Sequence, residues 1–267
     1  MTTIELAPAE LPQRVQVLSW RRPVFVRGAA LDDGPAAAIV GARAASQVAM
    51  DRAHALGRHL AGRGVRVVSG GALGVDGAAH RGALAGGGAT TVVLGCGLDL
   101  AYPARHAALF AEVVARGGSL AGLVADGTAP RAALFPQRNG LIAALADLVI
   151  VVEADERSGS LSTAAAARRF GRLVAAWPGS RGCDRLLAGG AAIIESGDDA
   201  DRALAGTPRQ PPPRAIDPVA QAIRDAITHG EAGVDDIVRR TGLPVRSVLR
   251  ALATIETTIE STIERKL

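Results

Sequence analysis

Four segments combine glycine, hydroxyl and arginine residues in the way a phosphate-binding loop requires. The first is GARAAS, 41–46, where Gly41 permits close backbone approach, Arg43 can pair bidentately with a phosphate, and Ser46 can cap a following helix. The second is SGGALGVDGAAH, 69–80, where Ser69, Gly70, Gly71 and Gly74 expose successive backbone donors. In that segment Asp76 and His80 lie four residues apart, on one face of any helix they share. The pair is either a general acid–base dyad or a helix-capping carboxylate beside a structural histidine. The third segment, FPQRN, sets Arg138 and Asn139 just after Phe135-Pro136, and the fourth, SGSLST, sets Ser158, Gly159, Ser160 and Thr163 at a helix start. Arginines, amides, hydroxyls and helix N-termini all favour anions. Tyr102, Phe135 and Trp177 are the aromatic residues placed to stack against a base.

Loops of this kind need a scaffold that presents them together. Each follows, or lies close behind, a short apolar run: AAAIV (36–40), VRVVS (65–69), TTVVL (90–94), SLAGLV (119–124), LVIVVE (148–153) and LVAAW (173–177), with AAII (191–194) as a further one. Continuous Val/Ile runs bounded by glycine mark strands buried on both faces. Most are separated by 10–20 residues of Ala, Leu and Arg at helical spacing, such as 47–62. Alternation of that sort predicts an α/β fold, a Rossmann-like domain with a parallel sheet and helices on both sides. Ligands of such sheets bind at the carboxyl ends of the strands, where these loops lie.

Three consecutive prolines within 206–216 mark a stiff linker and divide the chain into domains 1–205 and 217–267. The tail reads as three short helices with a helix–turn–helix pattern turning at Gly242-Leu243-Pro244. Its ending, TTIESTIERKL, leaves any wing truncated, so the second domain is expected to be small, α-helical and degenerate winged-helix-like. The large domain holds 21 basic and 18 acidic side chains and the tail 7 and 8, so the positive charge lies with the large domain and linker.

Composition removes several function classes. Lys266 is the single lysine among 30 basic residues, so a Walker A loop is excluded and phosphate contacts fall to arginine and backbone N–H groups. Two cysteines, Cys96 and Cys183, are too few for a disulfide framework or a cysteine metal site, and both are expected to be reduced. No apolar stretch suits a membrane span and no secretory signal is visible, which predicts a cytoplasmic protein. Neither GGALGV nor GCGLDL fits the dinucleotide fingerprint G-x-G-x-x-G.

Six motifs in order, VGAR (40–43), SGGALGVDGAAH (69–80), GCGLDLAYP (95–103), FPQRN (135–139), SGSLSTA (158–164) and PGS (178–180), resemble the DprA/Smf DNA-processing proteins. The resemblance covers roughly residues 8–197. It implies an extended Rossmann domain that binds single-stranded DNA, delivers it to the RecA recombinase during natural transformation, and works as a homodimer. It implies no metal, no cofactor and no settled catalytic activity. Carried over by position, the DNA-contacting arginine is Arg43, and Ser69, Gly70, Asp76, His80, Arg138, Asn139, Ser158 and Ser160 also match. The chain departs from the pattern where the family tends to be basic: Leu73, Ala104 (with Arg105 adjacent) and Gly140. The competing reading is a nucleotide-binding sensor or nucleotide-hydrolysing enzyme on the same fold. The P-G-G-x-G-T-x-x-E signature of lysine decarboxylase-like phosphoribohydrolases is missing, and the Asp76/His80 pair would carry that chemistry.

Overall fold

The computed structural model describes residues 2–211, 218–228, 233–250 and 252. They fall into two compact units divided between Pro211 and Pro212, each described by itself.

Nine strands form one sheet in the larger unit: β1 (Ile4–Leu6), β2 (Val24–Gly28), β3 (Ala36–Val40), β4 (Arg66–Ser69), β5 (Thr90–Leu94), β6 (Ser119–Gly122), β7 (Leu148–Val151), β8 (Leu173–Ala176) and β9 (Ala192–Ile193). Their order is β1-β2-β6-β5-β4-β3-β7-β8-β9. From β6 to β9 every pairing is parallel, as the apolar runs predict. The sequence reading missed β1 and β2. They add antiparallel to the edge at β6, with Val26 opposite Ala121, the kind of edge extension that parallel sheets commonly carry.

Helices α1 (Gln13–Gln16), α5 (Leu134–Ala144), α6 (Ser160–Arg169) and α7 (Arg181–Ala188) cover one face. Helices α2 (Gln47–Gly62), α3 (Val75–Ala85), α4 (Ala107–Ala115) and α8 (Gly197–Leu204) cover the other. Side-chain alternation in the strands feeds both layers. Ala36, Ala38 and Val40 pack towards α5 and α6, whereas Ala37 and Ile39 pack towards α2 and α3.

Glycine brings α2 and α3 into backbone contact. A Cβ on Gly57 would stand 2.3 Å from the Ala79 carbonyl oxygen, and one on Gly82 would stand 2.1 Å from that of His54. No other residue permits this approach.

Strand order decides where a ligand goes. From β3 the chain proceeds through β4 and β5 to β6 on one side, then crosses back so that β7 pairs with the opposite edge of β3. The carboxyl ends of β3 and β7 are therefore the topological switch point, where adjacent loops diverge and leave a crevice.

The smaller unit holds α9 (Pro218–Thr228), α10 (Val234–Thr241) and a helical stretch over 245–250. Ile223, Ala226, Ile237 and Val248 form its core. Gly242 closes α10 in the left-handed conformation (φ +66°), its N–H bonded to the Val238 carbonyl at 2.9 Å. The expected truncated wing at 257–267 and the three prolines up to 213 lie wholly or mostly outside the described residues. The first part of the expected linker is tied to the sheet: the Arg209 carbonyl accepts from Ile193 N–H on β9 at 2.7 Å.

Candidate functional site

A cleft of about 1010 Å³ opens at the switch point. The loop after β3 supplies Gly41 and Arg43, α5 supplies Arg138 and Asn139, the loop into α6 supplies Arg157, Ser158 and Gly159, and the first turn of α6 supplies Ser160 and Thr163. A narrower hollow of about 100 Å³ adjoins it, lined by Arg43, Gly70, Leu73, Tyr102, Phe135 and Arg138 among others. Of the residues expected to contact phosphate, Gly41, Arg43, Gly70, Arg138, Asn139, Ser158, Gly159, Ser160 and Thr163 thus line these two adjoining hollows. Ser69, Gly71 and Arg105 line neither hollow. Ser69 is buried and donates to the Ile39 carbonyl at 2.5 Å, holding β4 against β3. Gly71 lies over Val92 and Phe110 with φ +67°. Arg105 is exposed.

The local physics explains the composition of the wall. Helix α5 begins at Leu134, before Pro136, because a proline in the first turn forfeits no helical hydrogen bond. Arg138 and Asn139 therefore sit in its second turn. Asn139 Nδ2 donates to the Gly159 carbonyl at 3.2 Å and to Ser162 Oγ at 2.7 Å, which ties α5 to the start of α6. Ser158 Oγ and Ser160 Oγ share a hydrogen bond at 2.7 Å.

Arg138 is almost fully buried, yet its strongest counter-charge, Asp76, stands 4.0 Å away, and its Nε has no partner. Burial pushes the Asp76 carboxyl up, with the Arg138 charge opposing that shift. Gly70 makes room for the guanidinium: a Cβ there would fall 1.4 Å from Arg138 Nη1. The Phe135 ring is within reach of two cations, with Arg43 5.2 Å and Arg138 5.8 Å from its centroid, and Tyr102 is 5.9 Å away. Trp177, by contrast, pairs with Arg52 at 4.7 Å and lies outside the cleft lining.

Two expectations change. The α2 N-terminus was expected to offer open donors to an anion, with Ser46 as cap. Ser46 does cap the helix, accepting from Ala49 N–H at 3.2 Å, but its own N–H and Oγ are held by the Glu153 carboxylate at 3.0 and 2.5 Å. That anion site is filled from within the protein.

The second concerns the Asp76/His80 dyad. His80 is fully buried, its Nδ1 2.8 Å from Thr90 Oγ1, whose hydroxyl donates in turn to the Val67 carbonyl at 2.7 Å. Nδ1 therefore carries the proton, and Nε2 is left without a partner. Desolvation, with nearby His106, Arg81 and Arg138, lowers its pKa to about 3. Asp76 lines the cleft and His80 does not, so the pair cannot act together on a ligand there. Arg157 is a lining residue that the sequence reading passed over, although it immediately precedes the SGS motif.

Among the described residues, no helix is long and apolar enough to cross a membrane. Cys96 and Cys183 are free and buried.

Comparison with known proteins fits this architecture. The family model for DNA recombination-mediator protein A matches residues 5–205, and that for the DprA winged helix domain matches 207–257. The DNA processing protein DprA of Mycobacterium tuberculosis is 43% identical over 238 residues, covering 83% of this chain and 60% of the relative. The chain thus spans 60% of the length of that curated relative. Protein Smf of Escherichia coli is 44% identical over 145 residues, 54% of this chain and 39% of the relative. DNA processing protein A of Streptococcus pneumoniae superposes with a TM-score of 0.69 at 33% identity, covering 75% of this chain and 74% of that one. The Helicobacter pylori protein, described for its single-stranded DNA binding mode, gives 0.69 at 30% identity over 77% and 97%. By its family models, its ordered motifs and its fold, the chain belongs to the DNA recombination-mediator protein A family, DprA/Smf.

Proposed function

We propose that the switch-point cleft binds single-stranded DNA. The observation that carries this reading is the meeting of cations and aromatic rings in one hollow: Arg43 and Arg138 stand 5.2 and 5.8 Å from the Phe135 centroid beside Tyr102, and Arg157 and the Ser158 and Ser160 hydroxyls line the adjoining cleft. Phosphates need the cations, and the rings need bases that are not stacked inside a duplex. Arg43 is the leading phosphate contact, having no carboxylate partner among the described residues. Arg138 is partly neutralised by Asp76 and acts from beneath. The described relative from Helicobacter pylori supports the choice of ligand.

Family membership supports the wider role: protecting incoming single strands and loading RecA onto them, as a homodimer, in natural transformation and homologous recombination. No bond is made or broken in this reading. The competing nucleotide-hydrolysing reading loses its acid–base pair to the burial of His80.

Fluorescence anisotropy with labelled single-stranded and duplex oligonucleotides at two salt concentrations tests the proposal. Wild type should prefer the single strand, and Arg43→Ala should weaken it about tenfold, with a flatter salt dependence by about 0.7 in log–log slope. Unchanged affinity in a folded Arg43→Ala protein would remove this cleft as the binding site.

A further inference from the structure

A second basic and aromatic patch lies on the outer side of α5. Trp20 and Phe170 pack edge to face, their centroids 6.4 Å apart at 69°. Arg21 and Arg22 follow the first ring in sequence, while Arg169 and Arg172 flank the second. Arg21, Arg22 and Arg169 are exposed and Arg172 is half-buried. Among the described residues none of the four is ion-paired. Arg22 donates to Gln137 Oε1 at 2.6 Å and Arg172 to the Arg14 carbonyl at 2.5 Å, both neutral acceptors that leave the charge uncompensated. Asp33 and Asp147 are held by Arg14.

The patch is continuous with the cleft through α5. Asn139 lines the cleft, and the next residue, Gly140, abuts Trp20: a Cβ there would meet only the indole Cη2, at 3.9 Å. Gln137, one residue before Arg138, holds Arg22. Both rings are half-buried and pack against the core, with the Trp20 indole nitrogen out of solvent. Cations interleaved with rings beside a polyanion site form the footprint of a single-strand groove.

We infer that this face is a second contact for the strand held in the cleft, with Arg21, Arg22 and Arg169 taking phosphates and the Trp20–Phe170 pair taking an unstacked base. It rests on the single-strand reading of the cleft. It also accounts for the loss of basic character at Gly140, since the charge beside α5 is supplied instead from Arg21 and Arg22.

The experiment compares oligo-dT of about 5 and about 20 nucleotides, near the lower end of and beyond the ~4–16 that one groove engages. Wild type, Arg21→Ala/Arg22→Ala and Arg169→Glu are measured at two salt concentrations, with a duplex of the longer length as control. The longer strand should bind wild type more tightly than the shorter one. The double variant should bind it about tenfold more weakly, with a salt slope lower by about 1.4. The shorter strand should be unaffected. Equal affinity of both variants and wild type for both lengths overturns this inference and leaves the cleft reading standing. A duplex that loses as much affinity as the single strand assigns the patch to duplex phosphates and also overturns it. No binding of either length by wild type refutes the cleft reading and this inference together. The arginines are exposed, so circular dichroism and an unchanged unfolding midpoint establish that a variant is folded.

Discussion

His80 makes stability depend on pH in a calculable way. Its ring is sealed between α3 and the sheet, donates from Nδ1 to Thr90, and has no acceptor for a proton on Nε2. In the unfolded chain the imidazole titrates near 6.5, whereas burial holds it at about 3 in the fold. Between those values the unfolded chain takes up a proton that the fold refuses. The contribution of His80 is therefore fully present above pH 6.5 and is lost as pH falls towards the folded value. At pH 5 the unfolded ring is protonated by roughly 30 to 1, which removes about 2 kcal/mol, or roughly 4–8 °C of melting temperature in a domain of this size. Urea unfolding of wild type and His80→Asn at pH 7 and pH 5 measures it. Asparagine keeps an N–H towards Thr90 and does not titrate. Its missing ring atoms cost stability at both pH values and cancel in the comparison. Wild type should lose about 2 kcal/mol more than the variant between the two conditions. Equal losses would mean that His80 is solvated or charged in the fold, and the account of that pocket would be wrong.

Two glycines give further tests. Gly70→Ala drives a methyl into the Arg138 guanidinium, so single-strand affinity in the anisotropy assay should fall several-fold; wild-type affinity would show that the position of Arg138 does not matter. Gly82→Ala sets helix propensity, a gain of about 1 kcal/mol, against a collision with the His54 backbone carbonyl at 2.1 Å. Because backbone cannot swing aside, overpacking should win, and urea unfolding should show a net loss of about 2 kcal/mol; a stabilised variant would contradict the close approach of α2 and α3.

Much of the larger unit was legible because its strands are buried on both faces. AAAIV at 36–40 and TTVVL at 90–94 have the boundaries of β3 and β5, since a run of small or β-branched residues ending in glycine leaves few alternatives. The antiparallel pair β1 and β2 was not legible, because an edge strand such as IEL has too few residues to show a period. The loops do gather at the carboxyl ends of the strands, as the topology implies, but the contacts made by Ser46, Ser69 and His80 were not legible. Glu153 closing the α2 N-terminus is a contact over 107 residues of sequence, invisible to any local pattern. The burial of His80 likewise follows from Thr90 on a neighbouring strand, not from its spacing to Asp76. Gly70 reads locally as a turn residue, whereas its environment shows it yielding space to an arginine from α5.

The glycine-mediated contact of α2 with α3 also has a mechanical meaning. Both helices start at the cleft, one after Arg43 and the other after the Gly70–Gly74 loop, and a Cβ on Gly74 would itself meet the Ala42 carbonyl at 2.3 Å. Helices joined backbone to backbone move as one body, so the two loops form a single fixed jaw. The opposing jaw, α5 and α6, is joined at the rim by the side chain of Asn139, and Gly159 there has open space around it. Under the proposed single-strand reading, the backbone around Arg43 is then set before a ligand arrives, and the open space at Gly159 lies on the other side of the cleft.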